Sequence, residues 1–158
     1  MSWIIEVAYR TPEEDPSNHL LKESIEKLGI KGVREIRQIN TYYIEGELTR
    51  RKVEEFTQLL VDPATQICSI SSHALLTLRL LKDVEDGWLV EVKPKIETDL
   101  VSLNTLAILE SLGFHEAERV KTSTKYIIVG KLSWKQVEEI CRKFLVNETF
   151  EDFKIIRI

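Results

Sequence analysis

Imidazoles, thiols and paired carboxylates are the groups best able to move protons or hold metals near neutral pH, and here they are dispersed. His19, His73 and His115 stand far apart, and none falls in a constellation with a nucleophile or at metal-ligand spacing. Ser71-Ser72-His73 sets hydroxyls beside an imidazole, but neighbours along a strand point to opposite faces. Glu54-Glu55 and Glu138-Glu139 are adjacent on expected helices, so neither pair converges as an acid and base; solvated faces are expected. Cys68 and Cys141 form no C-x-x-C pair and are expected to pack as small hydrophobes without a disulfide. Trp3, Tyr42 and Tyr43 could stack nucleobases, although sheet packing is the expected use. There is no Gly-rich phosphate loop, G-x-S-x-G or H-E-x-x-H. No catalytic, cofactor-binding or metal-ligating residue is nominated.

Composition narrows the classes further. The chain has 158 residues, 43% hydrophobic and 30% charged, as in a soluble globular protein able to bury a core without staples. No apolar run approaches the ~20 residues of a membrane span. The start, "MSWIIEVAYR", lacks the charged-then-apolar pattern of a secretory signal, so cytoplasmic residence is the expectation. A net charge of −4 weighs against a nucleic-acid backbone as partner. The one basic cluster, Arg50-Arg51-Lys52, reads as a solvated helix face.

What the chain does carry is an internal repeat. "WIIEV" from Trp3 falls on "WLVEV" from Trp88. After a one-residue gap, Asp15 meets Asp99, Leu28-Gly29 meets Leu112-Gly113, Tyr42 meets Tyr126, Gly46 meets Gly130 and Leu48 meets Leu132. A second gap restores the first offset, and Leu60-Val61 meets Leu145-Val146. The chain reads as units 1–72 and 88–158 joined by an ordered junction, 73–87.

Each half yields the same elements. The first strand is β-branched and apolar. Asp15-Pro16 and Asp99 begin a helix, with stripes Leu21, Ile25, Leu28 and Leu106, Leu109, Leu112, ended by Gly29 and Gly113. "VREIRQ…TYYIEGEL" and "AERVKT…TKYIIVGKL" are each a hairpin or one long bent strand. Thr49 and Ser133 cap a second helix, Ser133 to Gln136 forming a capping box. That helix is expected to bury Val53, Phe56 and Leu60 in one half, and Trp134, Val137, Ile140, Cys141 and Phe144 in the other. "TQICSI" and "FEDFKIIRI" close each half. In the junction, "LLTLRLL" predicts a strand over 75–82 pairing with the strand from Trp88, a short helix being the alternative. The fold class is α+β: two tandem ferredoxin-like βαββαβ units. Each lone unit would leave a sheet face bare, so the two should pack open faces or pair strand edges within one chain.

The ordered set "LGIKGVREIR … YIEGEL … VEEF … LLVDP" and, in the second half, "VEVKP … LGFHEAERV … YIIVGKL … VEEI … FLVNETFEDFKI" resembles the PurS family, the small subunit of phosphoribosylformylglycinamidine synthase. The resemblance spans both halves but not the junction. It implies a tandem chain standing in for a PurS dimer, with no catalytic residues or cofactor of its own, as a subunit of a glutamine-dependent ligase complex. It would bridge a PurL-type synthetase and a PurQ-type glutaminase in purine biosynthesis, with further self-association open. Ile39 and Asn40 replace the family's Gly-Lys after the first helix. A tandem ACT-like module binding a regulatory ligand is the alternative, and a sheet-type RNA binder ranks last.

Overall fold

The computed structural model describes residues 2–96 and 99–158. It is an α+β structure with one six-stranded antiparallel sheet, and five α-helices among the described residues. The first half comprises β1 (Ser2–Tyr9), α1 (Pro16–Lys27), β2 (Val33–Gly46), α2 (Arg50–Thr57) and β3 (Gln66–Ser71). After α3 (Leu75–Leu81) the order recurs as β4 (Gly87–Pro94), α4 (Leu100–Ser111), β5 (Ala117–Gly130), α5 (Trp134–Ile140) and β6 (Glu151–Arg157). Across the sheet the strands run β3-β1-β2-β5-β4-β6.

Two open choices are decided here. The middle of each half is the long strand rather than the hairpin, 14 continuous residues in each, so each half runs β-α-β-α-β and the expected βαββαβ order is corrected. The junction is not a strand: α3 is a helix over Leu75–Leu81. Its task explains this. The chain must pass from one edge of the sheet to β4, four strand spacings or roughly 19 Å away, across a face whose backbone is already paired.

The halves meet edge to edge rather than face to face. β2 and β5 pair antiparallel from Val33↔Gly130 to Gly46↔Ala117. This register obeys the repeat: Asn40 faces Thr124, its own counterpart 84 residues on, and every other pair exchanges with another across that point. The two ends of the ladder each carry an irregularity, between Val33 and Glu35 and between Glu45 and Gly46. There Gly46 (φ 142°) and Gly130 (φ 148°) lie against the backbone of the opposite half. A Cβ on Gly46 would come within 2.0 Å of the Glu116 carbonyl oxygen, and one on Gly130 within 2.1 Å of that of Gly32. The close approach of the halves therefore depends on both glycines.

The same two-fold relation exchanges the helices. Ile25 and Ile30 of the first half pack with Trp88, Val90, Ile128, Val137 and Ile140 of the second. Reciprocally, Leu109 and Phe114 pack with Ile5, Val7, Ile44, Val53 and Phe56. Neither half owns a complete core. Where β2 runs on past β1, its free backbone edge is satisfied by α1: Gln38 N donates to Asp15 Oδ2 (2.9 Å) and Ile36 N to Asn18 Oδ1 (2.9 Å). The indoles are tied alike, Trp3 Nε1 donating to Leu48 O (3.0 Å) and Trp88 Nε1 to Leu132 O (3.1 Å).

The expected caps and stops are present. Asp15 and Asp99 accept backbone N–H groups at the starts of α1 and α4, Ser133 closes a capping box, and Gly29 and Gly113 take positive φ. Trp134 at the start of α5 and Phe144 in the turn that follows it, however, are not core residues; both are exposed. The extra residue of the second half is absorbed as a π-helical turn, Cys141–Leu145. That wider turn rotates Leu145, not Phe144, into the core. Cys68 is likewise not packed inside: it is exposed on edge strand β3, whereas Cys141 is buried.

Gly46→Ala and Gly130→Ala should each cost about 3 kcal/mol or more in urea unfolding, because φ and space are both wrong for a side chain. Gly29→Ala has an unfavourable φ but nothing within 4 Å of the added Cβ, and should cost only about 1 kcal/mol.

Candidate functional site

The residues weighed for chemistry do not assemble. His19, His73 and His115 are all exposed, on α1, between β3 and α3, and between α4 and β5. Ser71 Oγ accepts from His73 N (3.3 Å), a turn contact where β3 ends. Glu54 and Glu55 pair with Arg50 and Arg51 one turn back on α2, and Glu138 pairs with Arg142. Lys52 alone of the basic cluster does more. It reaches across the repeat boundary to Glu116, holding that carboxyl below its ordinary range through their hydrogen bond, and lies over the Phe114 ring. Trp3 and Tyr42 pack with the helix-side core. Tyr43, the next residue, points to the opposite face, so the three aromatics make no common stacking platform. Among the described residues, no group of three or more His, Cys, Asp or Glu could hold a metal ion.

The polar groups that the fold does gather lie on the sheet face opposite α1, α2, α4 and α5. At its centre Glu6 is fully buried beneath α3. Its carboxylate accepts from the backbone N–H groups of Leu76 (2.9 Å) and Thr77 (3.3 Å), from the Thr77 hydroxyl, and from Ser69 Oγ (3.2 Å). Lys125 Nζ completes the shell at 3.5 Å, its side chain 7% exposed. α3 begins at Ala74 with no side-chain cap of its own. Glu6 supplies one from 70 residues away, placing negative charge where the unpaired N–H groups need it. A carboxylate so saturated with donors has no lone pair directed at a substrate, so its chemistry is structural.

Glu91 is the counterpart of Glu6 in the second half, and among the described residues no helix start is capped by it as α3 is by Glu6. It accepts from Tyr43 Oη (3.2 Å) and Ser123 Oγ (3.3 Å), with Lys93 Nζ at 3.3 Å. Burial pushes the Tyr43 phenol up to about 12, so it stays a neutral donor near pH 7. Beside this cluster a cavity of about 480 Å³ opens between the halves, lined by Trp3, Ile4, Tyr43, Glu45, Lys93 and Lys121 among others. Its size suits a small ligand, and its walls combine aromatic surface with both signs of charge. Sequence reasoning passed over Glu6, Glu91 and Lys125. The available signal was a charged residue amid apolar strand residues, recurring in "WIIEV" and "WLVEV", where a face open to water would need no repetition.

Comparison with known proteins leaves this geometry to stand by itself: no family model and no curated protein matches the chain.

Glu6→Ala should destabilise the protein by about 3–5 kcal/mol in denaturant unfolding, because Lys125 and the start of α3 lose their partner together. Glu91→Ala, partly exposed, should cost about 1 kcal/mol or less. Burial raises the Cys141 thiol from its ordinary 9.0 to about 12. The unfolded chain therefore ionises first, and stability from this group is lost as pH climbs from about 9 toward about 12. Near neutral pH a thiol reagent should modify Cys68 at once and Cys141 only after denaturation.

Proposed function

We propose that this chain is a non-catalytic assembly subunit: a tandem PurS-type duplication working as an intrachain pseudo-dimer in a cytoplasmic phosphoribosylformylglycinamidine synthase. Residues 1–72 and 88–158 are its two units, with 73–87 linking them. Each is a ferredoxin-like unit whose middle hairpin has straightened into a strand shared with the other copy. The observation that carries this reading is the self-related β2·β5 ladder, with Asn40 on Thr124. It gives one polypeptide the symmetry of a dimer, and such symmetry normally comes from two copies sharing one patch. The sequence resemblance supplies the family. The two halves differ on their outer surfaces, so one chain presents unlike faces to a synthetase and a glutaminase, consistent with bridging two different partners.

A second reading draws on the 480 Å³ cavity beside Glu91. Under it, the chain is an ACT-like regulatory module taking a small zwitterion, whose ammonium would meet Glu45 and whose carboxylate would meet Lys93.

Reconstitution separates the two. The chain mixed with PurL-type and PurQ-type subunits should form one complex with glutamine-dependent amidation of formylglycinamide ribonucleotide, and omission of the chain should abolish glutamine use. Full glutamine-dependent activity without the chain would overturn the first reading. Calorimetric binding of a free amino acid, lost in a Lys93→Ala variant, would favour the second.

A further inference from the structure

The internal duplication provides a control for every surface: what the fold requires should appear in both copies. α1 and α4 are counterparts at an offset of 84, from Asp15/Asp99 to Leu28/Leu112. The outer face of α1 is dressed for water. It carries His19, Glu23 and Lys27, with half-buried Ser17 and Ser24 at its margins, and Glu23 and Lys27 pair at 3.3 Å. On α4 the same positions read Val101, Leu103, Ala107, Ile108 and Ser111. No charge remains on this face between Leu100 and Leu112 except Glu110 at its margin. Leu20 reverses the trend, exposed on α1 where α4 has Asn104, and Leu28 is exposed as its counterpart Leu112 is.

The amphipathicity of α4 is in fact inverted. Two of its three buried residues are hydroxylic, Ser102 and Thr105, the third being Leu109. Thr105 Oγ1 satisfies itself on Val101 O at 2.7 Å. Meanwhile Leu100, Val101, Leu103 and Ile108 stand 44% to 72% exposed. A helix selected only to cover its own sheet would carry those leucines inward. The fold does not need this apolar surface, and α1 performs the same packing without it.

We propose that the outer face of α4 is a self-association surface, on which a second copy of this chain docks its own α4 antiparallel about a two-fold axis. The face is complementary to itself. With the axis level with the Thr105–Leu106 bond, Leu103 of both copies lines one flank of the contact and Ile108 of both lines the other. Leu100 lies over the small Ser111, and Asn104 over Ala107. Large residues thus oppose small ones along the central ridge, so the helices can approach closely, and no like charges are opposed. The area also matches. Four partly open aliphatic side chains at up to about 100 Å² each give roughly 400 Å² per copy, within the range of the largest, often functional, apolar patch on a monomer. A two-fold pair would bury about 800 Å², the size of a weak, transient association. The dimer is therefore a micromolar one. It stands apart from the proposed role in a synthase, since it needs no other subunit.

Sedimentation velocity of the full chain from about 1 to about 200 µM tests it. A monomer–dimer equilibrium with Kd in the micromolar range is expected. Leu103→Glu and Ala107→Glu, each on the exposed face and each checked for native circular dichroism, should raise Kd at least about tenfold. Ser24→Glu, the position on α1 equivalent to Ile108, should leave it unchanged. Either α4 variant alone suffices if the other misfolds. A wild-type chain monomeric at about 200 µM would overturn the proposal and leave the face to a different protein. So would a dimer indifferent to both α4 substitutions.

Discussion

The structure depends on one pairing, the antiparallel ladder between β2 and β5. Two identical strand edges can pair antiparallel only about a point where a residue meets its own counterpart, here Asn40 with Thr124. Once that register is set, much of the remaining arrangement is constrained. The strands that flank the ladder end short of it, so the chain leaving β1 crosses to cover the second half, and the chain leaving β4 crosses back. Both hydrophobic cores consequently draw on both halves. At the ends of the ladder the backbones approach more closely than any side chain permits, which makes Gly46 and Gly130 requirements of the pairing.

Symmetry also locates what is specific to this molecule, because each departure from it must have its own cause. One cause is topological. A single chain needs a link between its copies, and α3 crosses one sheet face to provide it. Glu6 buries its charge to cap that helix, and Lys125 neutralises the charge; Glu91, which caps no helix among the described residues, remains beside an open cavity. Another is the one-residue insertion in the second half, taken up as a π-turn after Ile140. The apolar outer face of α4 has neither cause.

Much of this was legible in the sequence. The repeat, the helix caps at Asp15, Asp99 and Ser133, and the glycine stops follow from local chemistry with few solutions. What was less legible depended on distant partners. A period-2 pattern is the same for a hairpin and for one long strand; "RQINTY" and "KTSTKY" lack the Asn-Gly or Gly-Gly turn that a hairpin would want. "LLTLRLL" suits a strand by local pattern; it is a helix that crosses the sheet face, and a carboxylate on β1 caps its start. Phe144 fits an ideal helical stripe, but the π-turn rotates it away from the core; Trp134 lies ahead of that turn, at the first position of α5, and is exposed there. The candidate site was hardest of all, since it is made of strand residues that approach one another only after the two copies have paired.

The central claim is that neither half is a folded unit without the other. Expressing residues 1–72 and 88–158 separately and following each by sedimentation and circular dichroism tests it most directly. Each fragment should be unfolded or self-associated when alone, and an equimolar mixture should recover native-like structure in a one-to-one complex. A fragment that is monomeric and unfolds cooperatively by itself would contradict the account, because it would possess a core that this structure divides between two copies.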